Sequence, residues 1–388
     1  MIPAPVVGLI GPLGPAQLAC LRSWRRRGIS TLFVHCGEEP LFAWARSIAD
    51  HYVYGGKSGA PDSGLIASTA EALATRKAVG IACLSETLAT ALWRERAALP
   101  PAVVLLFNPP EVFRTLASKS EQMALARDAG MRVLPTWILH TGTEIDRLDL
   151  VFPLVLRPDR ADTVAPSFKA KLIHDKAALG RFLGALESHS GPVVAQPFLA
   201  CPNLVVHGYR NASDQSGGHC AFRADVKYSG VCVTLCPIDI PSGLDASCDS
   251  FERSLGVRGV FHYDFLWDGP DRAPIFLEMN GRLGGTTGKT FAAGYDEPAA
   301  LLQAFGVVTP AGAAPLVPKR MRCAVSRLAA LRCLAATLRG RGSLLDFPYP
   351  DRRALLRSLM PAIATWSDEV MQLRDPHATL AFLSQGLR

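Results

Sequence analysis

The sequence predicts an α/β front half, an α+β second half and a helical tail. Three observations carry this reading. Through residue 107, short apolar runs alternate with helical stretches, the pattern of a parallel sheet covered by helices. From residue 193 onward, β-rich segments follow one another with few helices between them. After residue 307 the chain opens with Ala, Gly and Pro and then turns helical. At 388 residues, two or three domains are expected. The division is an N-terminal α/β domain at 1–116, a central unit at 117–307 whose two parts meet near 197–198, and a C-terminal extension at 308–388.

Residues 6–10, VVGLI, read as a buried strand. A helix follows from Pro15, a residue suited to a first helical turn, to Arg27, with Gly28 at its end. ISTLFVHC (29–36) is a second strand; 51–54, 79–84 and 102–107 are further strands, with helices near 64–78 and 87–98. The GLIGPLG turn departs from G-x-G-x-x-G, and the first acid after the second strand is Glu38, so a tight turn without a ligand is preferred to a dinucleotide site. PEVFRTLASKSEQMALARDAG is helical, FPLVLRP (152–158) is a strand closed by proline, and FKAKLI is a strand with Lys169 and Lys171 on one face. A helix spans Asp175 to Glu187. VVAQPFL, LVVHGYR, HCAFRADVKY, GVCVTLC, VFHYDFLW and IFLEMN are strands of the second half.

Composition excludes several classes. Charged residues at 19% and hydrophobic residues at 49% describe a globular chain, not a disordered one. No uninterrupted apolar run approaches the ~18–20 residues of a spanning helix. The N-terminus lacks a basic leading segment and is broken by Gly and Pro, so export is not expected; QLAC, ending at Cys20, matches a lipoprotein cleavage site only loosely. The ten cysteines show no Cys-x-x-Cys pair. VCVTLC puts Cys232 and Cys236 on one face, with Cys248 nearby, so a metal site is one reading; buried free thiols in a reducing cytoplasm are the preferred one. Net charge is +7, and 319–341 holds seven Lys or Arg and no acid, which leaves the rest of the chain formally neutral. A neutral body argues against a nucleic-acid-binding protein.

The chemistry concentrates in GVFHYDFLWDGPDRAPIFLEMNGR. WDGPDRAP (267–274) is rich in turn residues between apolar runs, the mark of a β-hairpin. Asp264 and Glu278 lie equally far from position 271, and so do His262 and Asn280. Each pair is therefore expected to face across the hairpin, all four on one side. Opposed carboxylates repel at Cβ separations of ~4.5–5.5 Å. A hard divalent cation between them removes the conflict, and Asp, Glu and an Asn carbonyl are oxygen ligands suited to Mg²⁺. Arg282 offers a fork of donors to phosphate, and Gly284 and Gly285 allow backbone to approach an anion. The plain alternative is a solvated hairpin end with incidental charges. LGGTTGKT (283–290) resembles a phosphate-binding loop, but Leu283 stands where the first glycine must be, and the reading is rejected. In FRADVKY, Arg223, Asp225 and Lys227 alternate onto one face, either to meet substrate or as a solvated strand.

With these residues in view, the sequence resembles the ATP-grasp superfamily, most closely its bacterial carboxylate–amine ligase branch, over roughly residues 5–307 in family order. The resemblance implies the following roles. SKSEQMALARDAGMRVLPTW is similar to the segment whose lysine, here Lys119, reaches the nucleotide. FPLVLRP resembles the strand with a second phosphate-contacting lysine; Arg157 stands there, and Lys169 or Lys171 could supply an ammonium instead. VVAQPFL resembles the adenine hinge, with Gln196, Phe198 and Leu199 at its edge. Pro197 occupies a position that is usually glutamate, and Asn203 is assigned to the ribose. Asp264, Glu278 and Asn280 match the metal ligands, and Arg282 the phosphate contact. RDPHATLAFL resembles a recurrent tail of that branch.

The resemblance implies ATP-dependent amide formation through an acyl phosphate, with ATP and Mg²⁺, or Mn²⁺ in its place, as cofactors. The fold class implied is an N-terminal α/β domain, an α+β ATP-grasp fold and a helical C-terminal extension. His262 and Arg282 are the catalytic candidates; Arg223, Lys227, Gly284 and Gly285 are the substrate candidates. Phosphoryl transfer needs positioning and charge neutralisation more than a nucleophilic side chain, and no persuasive Ser-His-Asp or Cys-His constellation is visible. The expected partners are a small-molecule or peptide carboxylate and an amine, with no nucleic acid and no transmembrane segment; a homodimer is an admissible assembly. A carboxylase, a kinase or a nucleotide-binding protein without turnover stays open. For 319–341 the preferred reading is a helix packed on the body through Met321, Ala324, Val325, Leu328, Leu331, Ala335 and Leu338, with binding to anionic lipid or nucleic acid as the alternative.

Overall fold

The computed structural model describes residues 4–37, 48–56, 61–307, 316–318, 320–343, 345–349, 351–372 and 375–384. Glu38, the Ala-, Gly- and Pro-rich start of the tail at 308–315, Lys319 and Arg374 lie outside them.

The front of the chain builds a parallel sheet. Strands β1 (Val6–Gly11), β2 (Ser30–His35), β3 (His51–Tyr54), β4 (Gly80–Cys83) and β5 (Val104–Leu105) lie in the order β3-β2-β1-β4-β5. Helices α1 (Pro15–Arg26), α2 (Ser63–Thr75) and α3 (Glu86–Arg94) connect them. Alternate residues of β1 feed two cores: Val7 and Leu9 join Leu18, Leu21 and Trp24 of α1, and Ile10 joins Leu65, Leu73 and Leu88. A strand covered on both faces must be apolar throughout, which is why VVGLI carries no polar residue. In the turn after β1, the Gln17 side chain fills the space where a Cβ on Gly14 would stand.

PEVFRTLASKSEQMALARDAG forms two helices, not one: α4 (Pro110–Ala117) and α5 (Lys119–Asp128). Ser118 between them is extended, at φ −95° and ψ 115°, and its hydroxyl accepts the Glu121 N–H at 3.3 Å as the cap of α5. Buried Asp159 holds the break, accepting from the Ser118 hydroxyl at 3.0 Å and from the Ser120 N–H at 2.7 Å. Next come β6 (Arg132–Val133), β7 (Trp137–Leu139), β8 (Leu154–Pro158), β9 (Lys171–Ile173), α6 (Lys176–Gly184) and β10 (Val193–Pro197). Four of these strands make an antiparallel sheet, β7-β10-β8-β9, over a core that includes Leu154, Leu156, Leu179 and Val193.

The remaining elements are β11 (Asn203–Arg210), β12 (Gly217–Ala224), β13 (Lys227–Tyr228), β14 (Val231–Cys232), β15 (Thr234–Ile238), α7 (Leu244–Leu255), β16 (Gly259–Leu266), β17 (Ile275–Asn280), α8 (Thr287–Ala293), α9 (Glu297–Ala304), β18 (Ala324–Val325), α10 (Arg327–Leu338), α11 (Arg352–Thr365), β19 (Ser367–Asp368) and α12 (Pro376–Ser384). They complete an eight-stranded sheet in the order β19-β18-β15-β12-β11-β16-β17-β6, while β13 and β14 form a separate ribbon. One face of this sheet packs Phe261, Tyr263, Phe265 and Phe276 against Phe251 of α7. The large aromatic area buried there fixes which side of β16 and β17 remains for the polar residues.

Three expectations change here. GVCVTLC is not one strand: it breaks at Val233 between β14 and β15, and Cys232 and Cys236 do not share a strand face. Cys236 is bonded to Cys323, and the other eight cysteines are free. The antiparallel pairing of β15 with β18 brings the two Cα atoms to 4.2 Å, although they lie 87 positions apart in sequence. Cys232, Cys236 and Cys248 therefore form no metal site: Cys232 and Cys248 sit in different cores. The basic tail segment is a strand followed by a helix; α10 buries Ala330, Cys333 and Thr337, whereas Leu331 and Leu338 of the expected apolar arc point outward. No helix among the described residues is long and apolar enough to cross a membrane.

Candidate active site

The hairpin folds in the expected register at the site. Asp264 pairs with Glu278 and His262 with Asn280. Beyond them the register slips at a bulge after Asp264, so that Phe265 meets Phe276 and Leu277 drops out of the pairing. The slip keeps both Phe265 and Phe276 on the aromatic face, leaving Asp264, Glu278 and Asn280 on the other. Gln122 of α5 fixes β17 from the side, accepting the Met279 N–H at 2.7 Å.

Burial, then the charge of Glu278, pushes the Asp264 carboxyl up to about 6. Asn203 hydrogen-bonds Asp264 and also accepts from Lys227 Nζ at 2.9 Å. Burial in turn holds the Lys227 ammonium below its usual range. The Asn203 amide is thus committed to this face of the sheet instead of being open to a ribose. No set of three or more His, Cys, Asp or Glu residues suited to a metal occurs among the described residues; the donor set here is two carboxylates completed by the Asn280 amide. It is all oxygen, as Mg²⁺ requires, and the repulsion that Glu278 exerts on Asp264 is what a divalent cation would relieve.

Cationic groups converge on Glu278. Arg157, on β8, places Nη1 at 3.3 Å from the Glu278 carboxylate, and its Nη2 donates to Gln196 at 3.0 Å and to the Leu277 carbonyl at 3.4 Å. Gln196 is buried and also donates to Thr136 at 3.0 Å, so it acts by orienting Arg157. Lys119 is the first residue of α5, placed there by the Ser118 break. Burial holds its ammonium below the usual range; Arg157 adds to this and Glu278 opposes it. Its Nζ makes no hydrogen bond or ion pair among the described residues.

Arg282 reaches across to the front domain, where its Nε donates to Glu86 at 3.2 Å. Both partners are partly exposed, so the pair contributes little to stability, ~1 kcal/mol or less, and leaves Arg282 free to exchange partners. Asn108 joins the same two regions by donating to the Gly281 carbonyl at 2.7 Å. His262 is buried and stacked on His207 at 5.3 Å, with Nδ1 at 3.3 Å from the Arg282 carbonyl. Burial, then His207 and Arg282, holds its pKa well below 6.5, so it is neutral and not a cationic anchor. His207 bridges Glu297 and Thr286, each at 2.9 Å, in a buried row beneath the site. A Cβ on Gly284 would strike the His262 ring, so this glycine makes room for histidine and not for an anion; Gly285 has open space around its Cβ position.

Other candidates separate from this cluster. Arg223 sits opposite Leu204, while Asp264 sits opposite Val205; neighbouring positions point to opposite faces, so Arg223 lies on the other side of the sheet. It pairs with Asp225 at 2.6 Å. The chain leaves β12 after Ala224, because Val226 turns into a core with Val233 and Val325, and this breaks the alternation expected in FRADVKY. FKAKLI becomes a strand only at Lys171; Lys169 precedes it, with Nζ beside Gly230, and both lysines are exposed. Just after β10, Phe198 donates its N–H to the Pro153 carbonyl at 2.8 Å. Leu199 is 39% exposed, and its N–H has no partner among the described residues. Lys289 of LGGTTGKT is buried against Glu369 at 2.9 Å. Glu86, Asn108, Gln122, Asp159 and His207 were missed by sequence reasoning: each acts on a residue 39 to 196 positions away or, for His207, inside an unremarkable strand.

No known family profile matches the chain, and no curated protein sequence matches it. Its fold is similar to solved structures. An N5-carboxyaminoimidazole synthetase from Staphylococcus aureus complexed with ADP superposes at a TM-score of 0.62 with 14% identity, covering 82% of this chain and 80% of that one. A biotin carboxylase–β,γ-ATP complex from Campylobacter jejuni gives 0.62 with 16% identity, covering 79% and 72%. An L-amino acid ligase from Bacillus licheniformis gives 0.60 with 13% identity, covering 83% and 80%. The chain has the ATP-grasp fold.

Proposed function

We propose that this chain is an ATP-dependent carbon–nitrogen ligase that joins a carboxylate to an amine. The observation that carries the reading is the paired hairpin, Asp264 against Glu278 and His262 against Asn280, with Arg157 on Glu278 and Lys119 beside it. In this reading the four-stranded sheet is a lid, and the eight-stranded sheet holds metal and substrate. Asp264, Glu278 and Asn280 would hold Mg²⁺, or Mn²⁺, which when bound neutralises phosphate charge.

Lys119 and Arg157 face the nucleotide phosphates, and Leu199 offers its backbone to the base. Arg282, held lightly by Glu86, would stabilise the charge on the phosphoryl group as it is transferred. A substrate carboxylate oxygen attacks the terminal phosphorus, and the P–O bond to ADP breaks with its electrons leaving on ADP. The amine nitrogen then attacks the acyl carbon, the C–O bond to phosphate breaks, and the amine proton passes to solvent. Lys227, half-buried and bonded to Asn203, is the remaining substrate-side cation.

Likeness to an L-amino acid ligase supports this reading, and likeness to a biotin carboxylase supports a carboxylase as the second. Release of ADP and phosphate across carboxylate–amine pairs separates them. A ligase requires both substrates. Release with bicarbonate and a single acceptor favours the carboxylase, and nucleotide binding without release under any condition means that turnover has been lost.

A further inference from the structure

The tail helices carry a surface that the active site does not use. Residues 320–365 contain nine arginines against two aspartates, an excess equal to the net charge of the whole chain, +7. Neither aspartate balances them: Asp346 is buried and accepts the Ser229 and Ser343 N–H groups, and Asp351 caps α11. Arg327 turns inward to the Ile363 and Trp366 carbonyls. Arg332, Arg339, Arg353 and Arg357 are exposed and form no ion pair among the described residues.

Apolar side chains lie among these arginines. Leu331, Leu338 and Met360 are 50%, 59% and 54% exposed, and Leu356 is exposed beside them. The opposite sides of both helices, Ala330 and Cys333 of α10 and Leu355, Leu359 and Ala362 of α11, meet in one core with Val226 and Val325. The outward sides of both helices look away from this shared core, with arginine next to leucine or methionine in each.

We propose that this face docks on an anionic phospholipid surface, with arginines on the headgroup phosphates and the leucines and methionine in the acyl boundary. Charge complementarity selects an anionic partner. The exposed aliphatic side chains select lipid over nucleic acid, whose phosphates would leave them in water, and a second copy of the same basic face would repel it. The helices lie on the membrane and do not span it.

The test is co-sedimentation of the full chain with phosphatidylcholine vesicles, with and without one-quarter phosphatidylglycerol, near physiological salt. Binding to the anionic vesicles alone is expected, weakening as salt rises. Arg332→Gln with Arg357→Gln should lower partitioning about thirtyfold, and Leu338→Ser with Met360→Ser roughly tenfold, with thermal midpoints unchanged. Hydrogen exchange on the unaltered chain supplies a second readout: anionic vesicles should protect 327–338 and 352–365. The proposal is overturned by failure to bind anionic vesicles, by binding that both double variants leave intact, or by protection elsewhere only. DNA binding that persists in Leu338→Ser/Met360→Ser, or self-association lost in that variant, in each case without vesicle binding, would also overturn it.

Discussion

Glu278 holds two opposing relations: it faces Asp264 across the hairpin and touches the Arg157 guanidinium at 3.3 Å. Removing its charge relieves the first and deletes a proposed metal ligand. Glu278→Gln should fold with an unchanged or higher thermal midpoint and lose Mg²⁺-dependent ADP release about 100-fold or more; turnover at the wild-type level would remove the metal assignment. Arg157 is the guanidinium that stands between that carboxylate and Gln196. Arg157→Ala should weaken ATP binding about tenfold, measured by calorimetry with Mg²⁺ present, and Arg157→Lys should restore part of it. Unchanged affinity in both would make Arg157 structural and shift the phosphate role to Lys169 or Lys171, which stand exposed.

Helix α7 is bonded to the sheet through a buried polar network. Glu252 accepts from Arg210 at 2.7 Å, from Tyr263 at 2.9 Å and from His219 at 2.8 Å, and His219 also meets Asp245 at 2.7 Å. Burial acts to lower the His219 pKa, but the hydrogen bonds and charges of Glu252 and Asp245 outweigh it, and the pKa lies above 6.5. A raised folded pKa contributes stability that is full below the unfolded value and is lost as pH rises through the folded one. Urea unfolding should therefore show stability falling as pH climbs above 6.5, and His219→Gln should flatten that part of the profile; an equal slope in the variant would refute the assignment. The β15–β18 pairing carries the Cys236–Cys323 bond. Closing a loop of 87 positions stabilises by up to ~4–5 kcal/mol through the unfolded chain. Cys323→Ser should lower unfolding free energy by about 2–4 kcal/mol, and thiol titration of unfolded protein should gain two groups after reduction.

At the scale of the molecule, the tail fastens the front domain to the large sheet. Its strands β18 and β19 extend that sheet, Asp375 pairs with Arg22 of α1 at 2.8 Å, and Glu369 holds Lys289 of α8 at 2.9 Å. Both members of the last pair are almost fully buried, so breaking it leaves an uncompensated charge. Glu369→Ala should cost about 3–5 kcal/mol, read from denaturant midpoints, and Glu369→Ala with Lys289→Met should recover much of it. Additive losses in the double variant would show that the two residues are not coupled.

The sequence by itself determined the alternation of the front sheet and the facing of Asp264 with Glu278, because both are local: helical and strand periods are written in neighbouring residues, and a hairpin fixes its register about its own turn. It also marked Arg157 and Lys119 as cations, through resemblance to a family. Tertiary structure alone decided what those residues touch. Arg157 lies 121 positions from Glu278, and Arg282 lies 196 from Glu86. Contacts at that range depend on how sheets pack, and no local period encodes them. The same holds where local reading failed. FRADVKY alternates on paper, but burying Val226 turns the chain and leaves Arg223 on the far face. The leucines of α10 mark a helical stripe in sequence, and only the position of α11 and the sheet decides that Ala330 and Cys333 fill the core while Leu331 and Leu338 meet solvent.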